Sequence, residues 1–175
     1  MNKEFWTAHY KENKITEPST FAQFVVDKVD GPLIDIGCGD GRDLYYLQSK
    51  GINAHGVDGS NEDMFIVKQN ILSYMRENQS PDNVYARFFW HAIEREEQLA
   101  ILDWTKRTIF IEARTNKDKP KNVIGKHDRK LVNVKRLLKD LKKYGFEVEH
   151  IEEGYGLSPY KGEDPHLVRV IAHKK

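Results

Sequence analysis

The chain has 175 residues, enough for one domain with a real core, since chains of this size bury roughly 70% of their unfolded surface. Its 28 Lys and Arg against 27 Asp and Glu leave a formal charge of +1, which removes any bulk electrostatic pull toward nucleic acid or an acidic membrane. The one cysteine, Cys38, has no partner for an internal disulfide, and no segment approaches the roughly 18 apolar residues that span a bilayer, so a soluble, cytoplasmic protein is expected. The opening "MNKEFWTAHYKENK" has no apolar core of signal-peptide length.

In chain order, Phe5, Trp6 and Tyr10 stand at helical spacing, either to anchor a helix to the core or to fold over a ligand as a lid. "EPSTFAQFVVDKVDG" reads as a helix opened by Pro18 and Ser19, "PLIDIG" as a buried strand, "GRDLYYLQSKG" as a helix closed by Gly51, and "NAHGVD" as a strand ending in Asp58. In "NEDMFIVKQNILSYMRENQSPDN" the periodicity weakens; a short helix, a short strand through Ile66 and Val67 and a further helical turn or two are expected. "NVYARFFWH" reads as a strand, "EREEQLAILDWTKR" as a helix, "TIFIEAR" as a strand and "NVKRLLKDLKKYG" as a helix stopped by Gly145. "FEVEHIEEGYG" and "HLVRVIAHKK" alternate as an antiparallel pair. No repeat or linker interrupts them, so residues 1–175 are expected to form one domain, with 1–30 as an N-terminal helical lid or cap segment. The alternation of strand and helix predicts an α/β fold: a three-layer Rossmann-like sandwich on a mainly parallel sheet, with the antiparallel pair at its end.

The stretch "LIDIGCGDGRD" joins the first strand to its helix, where ligands bind in open parallel sheets. Gly37 and Gly39 let the chain turn with positive φ and let a ligand approach backbone. A dinucleotide fingerprint fits poorly, because the third glycine comes one residue early and the acids Asp35, Asp40 and Asp43 would repel a pyrophosphate. A P-loop is excluded, since no G-K-[ST] follows. Asp58 stands where an acid accepts hydrogen bonds from ribose hydroxyls. A cationic end, a ribose and a tight backbone contact together describe S-adenosyl-L-methionine.

"LIDIGCGDGRD" followed by "GINAHGVDGS" resembles the first two motifs of class I S-adenosylmethionine-dependent methyltransferases, and the order of elements extends the resemblance over nearly the whole chain, implying a seven-stranded sheet. The resemblance implies that Gly37 and Gly39 line the cofactor's methionine moiety, that Asp35 holds its amino group directly or through water, and that Asp58 binds the ribose. It also places Arg42 to reach the methionine carboxylate, unless Arg42 is a solvated helix-start residue. Asn70, with Ile71 packing on the ring, is the candidate for the adenine, or else a helix cap. The span from Asp58 to Tyr85 is shorter than such enzymes usually have, so a stunted third strand and helix are expected. "NVYARFFWH" together with "SPYKGEDPHLVRVIAHK" is similar to small methyltransferases associated with bacterial capsule and O-antigen polysaccharides.

The resemblance puts the end of the fourth strand opposite the transferred methyl, which singles out Arg87 and His91 as catalytic candidates. Methyl transfer from a sulfonium mainly needs an aligned nucleophile; a hydroxyl or protonated amine also needs a base, for which His91 has the suitable pKa. An anionic acceptor would need cations, which Arg87, Arg114, His127 and Arg129 can supply. Against these stand plainer roles: His91 as a capping or packed histidine, Arg87 paired with Glu112 on the neighbouring strand, and "NKDKPKNVIGKHDRK" as a solvated loop. The expected acceptor is a small polar molecule: a sugar, a glycan-linked phosphate or a metabolite carboxylate. The alternative is a non-catalytic S-adenosylmethionine-binding module or partner subunit. Balanced charge and the lack of an N-P-P-[YF]-like or D-P-P-Y motif argue against nucleic acid, and the histidines and cysteine show no metal-ligand spacing.

Overall fold

Ser19 Oγ accepts the Ala22 N–H and opens α1 (Thr20–Val25), the first helix of the computed structural model, which describes residues 17–118, 130–160 and 162–175. A 3-10 turn (Val26–Lys28) leads to β1 (Leu33–Ile36), then α2 (Arg42–Ser49) and β2 (Ala54–Asp58). Next come β3 (Ile66–Lys68), α3 (Ile71–Glu77), β4 (Asn83–Arg87) and a 3-10 turn (Trp90–Ala92). The chain continues through α4 (Arg95–Trp104), opened by a Glu94/Glu97 capping box, and β5 (Thr108–Arg114). It closes with α5 (Val134–Lys143), β6 (Phe146–Gly154) and β7 (Leu167–Lys174).

The seven strands form one sheet in the order β3-β2-β1-β4-β5-β7-β6, parallel from β3 to β5, with β7 antiparallel to both β5 and β6. Successive side chains alternate between its faces. On one face, Ile34, Ile36, Val84, Ala86, Ile109 and Ile111 pack with α3, α4 and α5 through Ile71, Ile101, Leu102, Leu137 and Leu141. On the other, Leu33, Tyr85, Phe110 and Ile171 pack with α1 and α2 through Phe21, Val25, Leu44 and Leu47. This is the expected three-layer α/β sandwich. Because α1 contributes Phe21, Ala22 and Val25 to the core, residues 20–25 are part of the fold; residues 1–16, with Phe5, Trp6 and Tyr10, lie outside the described residues. Among the described residues no helix is long and apolar enough to cross a membrane.

Three sequence expectations need correction. No helix precedes β3: Asp63 and Ile66 bond each other's backbone, and Asp63 Oδ1 takes the Phe65 N–H, so residues 59–65 cross between parallel strands as a turn. The fourth strand ends at Arg87, because Phe88 turns to φ 54 and the chain enters the Trp90–Ala92 turn. β7 does not alternate in burial; it lies between β5 and β6, and six successive residues from Leu167 are covered on both faces. The third strand and its helix are indeed short, at 3 and 7 residues.

On the α1–α2 face, near the C-terminal ends of β4 and β5, a row of charges alternates across adjacent strands. Arg87 faces Glu112 and Glu112 faces Arg169 in register. Arg87 Nε donates to Glu112 Oε1 at 3.0 Å, and Arg169 Nε donates to Glu112 Oε2 at 2.7 Å. Asp43 ends the row with Oδ2 3.7 Å from Arg87 Nε; it accepts the N–H and hydroxyl of Ser19, both at 2.7 Å, and the Tyr85 hydroxyl at 2.9 Å. Burial pushes the Glu112 carboxyl up while Arg87 and Arg169 pull it down. Glu112 is fully buried. Glu112→Ala therefore leaves two guanidiniums facing each other, and is expected to cost about 3–5 kcal/mol in urea unfolding at neutral pH; a loss under about 1 kcal/mol would show the row to be dispensable.

Candidate functional site

The chain leaves β1 toward β2 on one side and reaches β4 on the other, so the crevice beyond β1 and β4 is the topological switch point where open α/β sheets bind ligands. Asp35 sits at that point, 2% exposed. Among the described residues no hydrogen bond reaches its carboxyl. Burial first, then repulsion from Asp43 and Asp58, push the Asp35 carboxyl well above its ordinary range, with Arg87 opposing. Asp43 behaves in the opposite way: burial raises it, but Arg87, Ser19 and Arg42 hold it below its ordinary value. Arg87 is committed to Asp43 and Glu112, so among the described residues Asp35 is a buried acid that feels the Arg87 charge but has no cation bonded to it.

The turn after β1 places Gly37, Gly39 and Gly41 at φ 68, 61 and 82, the left-handed region that the spacing implied. The space that a side chain at Gly37 would need is filled by the protein itself: a Cβ there would lie 2.1 Å from the Phe89 ring. The Gly37 N–H is also engaged, donating to the Val57 carbonyl at 2.7 Å. The close approach at Gly37 is therefore Phe89's rather than a ligand's. Cys38 is a packing residue too, with a Cβ on Gly56 falling 2.5 Å from its Sγ and burial pushing its thiol well up.

Asp58 ends β2, 7% exposed. Its Oδ2 accepts the Gly39 N–H at 3.0 Å, and its Oδ1 accepts those of Ser60 and Asn61 at 2.7 and 3.2 Å. The carboxylate thus fastens the glycine turn of β1 to the end of β2. Burial raises its pKa against these three bonds. Beside it opens a cleft of about 520 Å³, solvent at the mouth included, lined by Val57, Gly59, Gln69, Asn70, Ile71 and Phe89 among others. The Asn70 side chain is a helix cap, accepting the Leu72 N–H at 2.9 Å, while Ile71 is buried. Arg42, the first residue of α2, lies with Nε 3.5 Å from Asp43 Oδ1.

Beyond β4, Arg87 also donates through Nη2 to Ser158 Oγ at 3.2 Å and stacks its guanidinium 4.4 Å from the Phe88 ring centroid. His91 is buried in the 3-10 turn, and its Nδ1 accepts the Arg114 N–H at 3.1 Å, so a neutral His91 carries its proton on Nε2. Arg114 pairs with Asp118 at 3.2 Å and Glu163 at 2.5 Å. His127 and Arg129 lie outside the described residues. The structure thus brings Asp35, the glycine turn and Asp58 together, sets Asn70 and Ile71 on the adjoining cleft, and places Arg87, His91 and Arg114 beyond β4 and β5. Sequence reasoning did not reach Phe89 or Arg169 as parts of this region, because both arrive through tertiary packing that no local pattern signals.

A search of solved structures finds this architecture in methyltransferases. A protein studied for the conversion of a disulfide bond into a thioacetal group during echinomycin biosynthesis superposes with TM-score 0.74 at 16% identity, over 100% of this chain and 94% of that one. A SAM-dependent methyltransferase from Archaeoglobus fulgidus gives TM-score 0.60 at 18% identity, over 99% and 95%. The 1,6-didemethyltoxoflavin-N1-methyltransferase of Burkholderia thailandensis, with bound 1,6-didemethyltoxoflavin and S-adenosylhomocysteine, gives TM-score 0.69 at 12% identity, over 98% and 86%. The fold is that of the class I methyltransferases. At these identities the likeness speaks to the fold. No protein-family model matches the chain, and no curated protein does.

Asp35 provides a test of the site's electrostatics. A carboxyl whose folded pKa is raised above its unfolded value of about 3.9 stabilises the fold fully only below that value, and loses this contribution as pH rises through the folded pKa. Asp35→Asn is therefore expected to melt higher than wild type at pH about 7 without ligand, the gap closing toward pH about 4. A variant equally or less stable at neutral pH would contradict this reading.

Proposed function

We propose that this chain binds S-adenosylmethionine across the C-terminal ends of β1, β2 and β4 and transfers its methyl group to a small polar acceptor: a sugar, a glycan-linked phosphate or a metabolite carboxylate. The observation that carries the proposal is Asp35, a buried, unbonded carboxyl at the switch point, with a second acid at the end of β2. The cofactor, when bound, supplies a methyl group on a sulfonium, whose departure leaves a neutral thioether. Asp35 would take the charge of the amino group, and Asp58 retains one acceptor position on Oδ2 for a ribose hydroxyl. Gly59, Ile71 and Phe89 would border the adenine in the cleft, with Asn70 contributing as the cap that holds α3. Arg42, the first residue of α2, would reach the methionine carboxylate.

On the acceptor side, His91 Nδ1 already accepts the Arg114 N–H, so a neutral ring is not set to take a proton from an acceptor through Nε2, which favours an acceptor that is already ionised. Arg87 is held by three partners and would orient the acceptor as a fixed cation. The glycan branch of the proposal rests on the sequence resemblance. One observation favours a second reading, a non-catalytic cofactor-binding module: Arg87 and Arg114, the two cations among the described residues that are candidates to hold an anionic acceptor, are both engaged by the chain's own acids. Turnover of S-adenosylmethionine with any acceptor separates the two.

Calorimetric titration of S-adenosylhomocysteine into wild type and Asp58→Ala, with a nicotinamide dinucleotide as control, tests cofactor binding. Micromolar binding by wild type, weakened at least about tenfold in the variant, is expected. Binding of the dinucleotide alone, or of neither, would refute the proposal.

A further inference from the structure

β3 is an edge strand, paired with β2 alone, and the crossover that leads to it holds no helix. Parallel strands are usually joined through a helix, which buries the apolar residues of the connection against the sheet. Here Met64 and Phe65 sit instead at the tip of the Asp63–Ile66 turn, 88% and 45% exposed. Ile66 is buried with the α1–α2 face, so Val67 points to the opposite face, where it is 42% exposed. Phe65 stands two residues before Val67 and shares that face, with Met64 adjoining it. Together the three expose on the order of 300 Å² of apolar surface, a size at which patches on folded chains are often functional.

The surroundings of the patch indicate what covers it. Strand addition is hindered, because the backbone N–H and C=O of Ile66, the first residue of β3, are both taken by Asp63. A partner must therefore pack side chain against side chain. The rim is of mixed sign: Glu62 and Lys68 are exposed, and neither side chain has a bonding partner among the described residues. A surface of one sign, such as an anionic membrane, would attract one of them and repel the other. A second copy carries the same two charges, and a two-fold axis through the patch brings the acid of each copy to the cation of the other. The area also fits, since a standard interface buries about 800 Å² per partner, somewhat over half of it apolar, and the patch supplies about two thirds of that apolar share.

We propose that two copies of this chain associate about a two-fold axis at the β3 edge, burying Met64, Phe65 and Val67 and pairing Glu62 with the partner's Lys68. The contact stands apart from the cofactor reading, yet it adjoins the same cleft. Gln69, which follows β3 and lines the cleft, donates its backbone N–H to the Asp58 carbonyl at 2.9 Å.

Sedimentation equilibrium of the full chain without ligand, from about 1 to about 100 μM, tests the proposal. Wild type is expected to be largely dimeric at the upper end and to dissociate on dilution. Met64→Glu and Val67→Lys are each expected to raise the dissociation constant at least about tenfold. Both positions are exposed, so each variant should melt within about 2 °C of wild type at the lowest concentration. Glu62→Lys and Lys68→Glu should each weaken the dimer, and the double variant carrying both should recover most of the loss, because the exchanged charges pair again across the axis. A wild type that stays monomeric at about 100 μM would overturn the inference. So would a dimer that Met64→Glu and Val67→Lys leave intact, which puts the contact elsewhere. A double variant that dissociates as far as the two single losses combined would remove the two-fold pairing.

Discussion

The alternating charges Asp43, Arg87, Glu112 and Arg169 hold together the edge of this protein that borders the switch-point crevice. Each belongs to a different element: α2, β4, β5 and β7. Side chains from the row reach further, to Ser19 and Thr20 at the start of α1 and to Leu157 and Ser158 in the connection between β6 and β7. Buried charges tolerate only such an arrangement, in which each finds an opposite charge and its remaining donors find oxygen. Shifting any one of these strands by a residue would turn its charge to the opposite face and leave the others unpaired. The row therefore sets the register at the edge where strands and loops meet the crevice.

Asp35 gains its meaning by standing outside that row. It lies on the same face, close enough to Asp43, Asp58 and Arg87 to feel their charges, yet among the described residues its carboxyl receives no hydrogen bond. Asp43 and Asp58 are fully occupied or nearly so, the first by Ser19, Tyr85 and Arg87, the second by three backbone N–H groups. Two acids thus bind the chain's own groups around the crevice, and the third is left without a hydrogen bond among the described residues. The glycine turn serves the same division of labour. Its left-handed residues bring the Phe89 ring against Gly37 and so set one wall of the adjoining cleft, with Gly59 and Ile71 on its other sides.

Much of this was legible in the sequence because it depends on neighbours in the chain. The run Leu33–Ile36, the glycines after it, and a second strand ending in Asp58 are local signals, and alternation of strands and helices carries the parallel character of the sheet through β5. The pairing of Arg87 with Glu112 was within reach for the same reason, since consecutive parallel strands bring their ends together. Arg169 was not, because β7 inserts between β5 and β6, and only that insertion brings Arg169 opposite Glu112. Phe89 was hidden by Phe88, whose left-handed turn ends the strand at Arg87, four residues before the apolar and aromatic run "NVYARFFWH" would stop it. Asn70 and His91 show the ambiguity of single polar residues: one caps α3, the other accepts a backbone N–H of β5, and neither role has a spacing that marks it.

The central claim is that a cationic, ribose-bearing cofactor lies across the ends of β1 and β2 with its base in the cleft beside Phe89. A crystal structure of the protein grown with saturating S-adenosylhomocysteine tests it most directly. The account predicts ligand density with the amino group at Asp35, the ribose at Asp58 and the adenine between Ile71 and Phe89. Density elsewhere on the molecule, or an empty crevice at saturation, would contradict it.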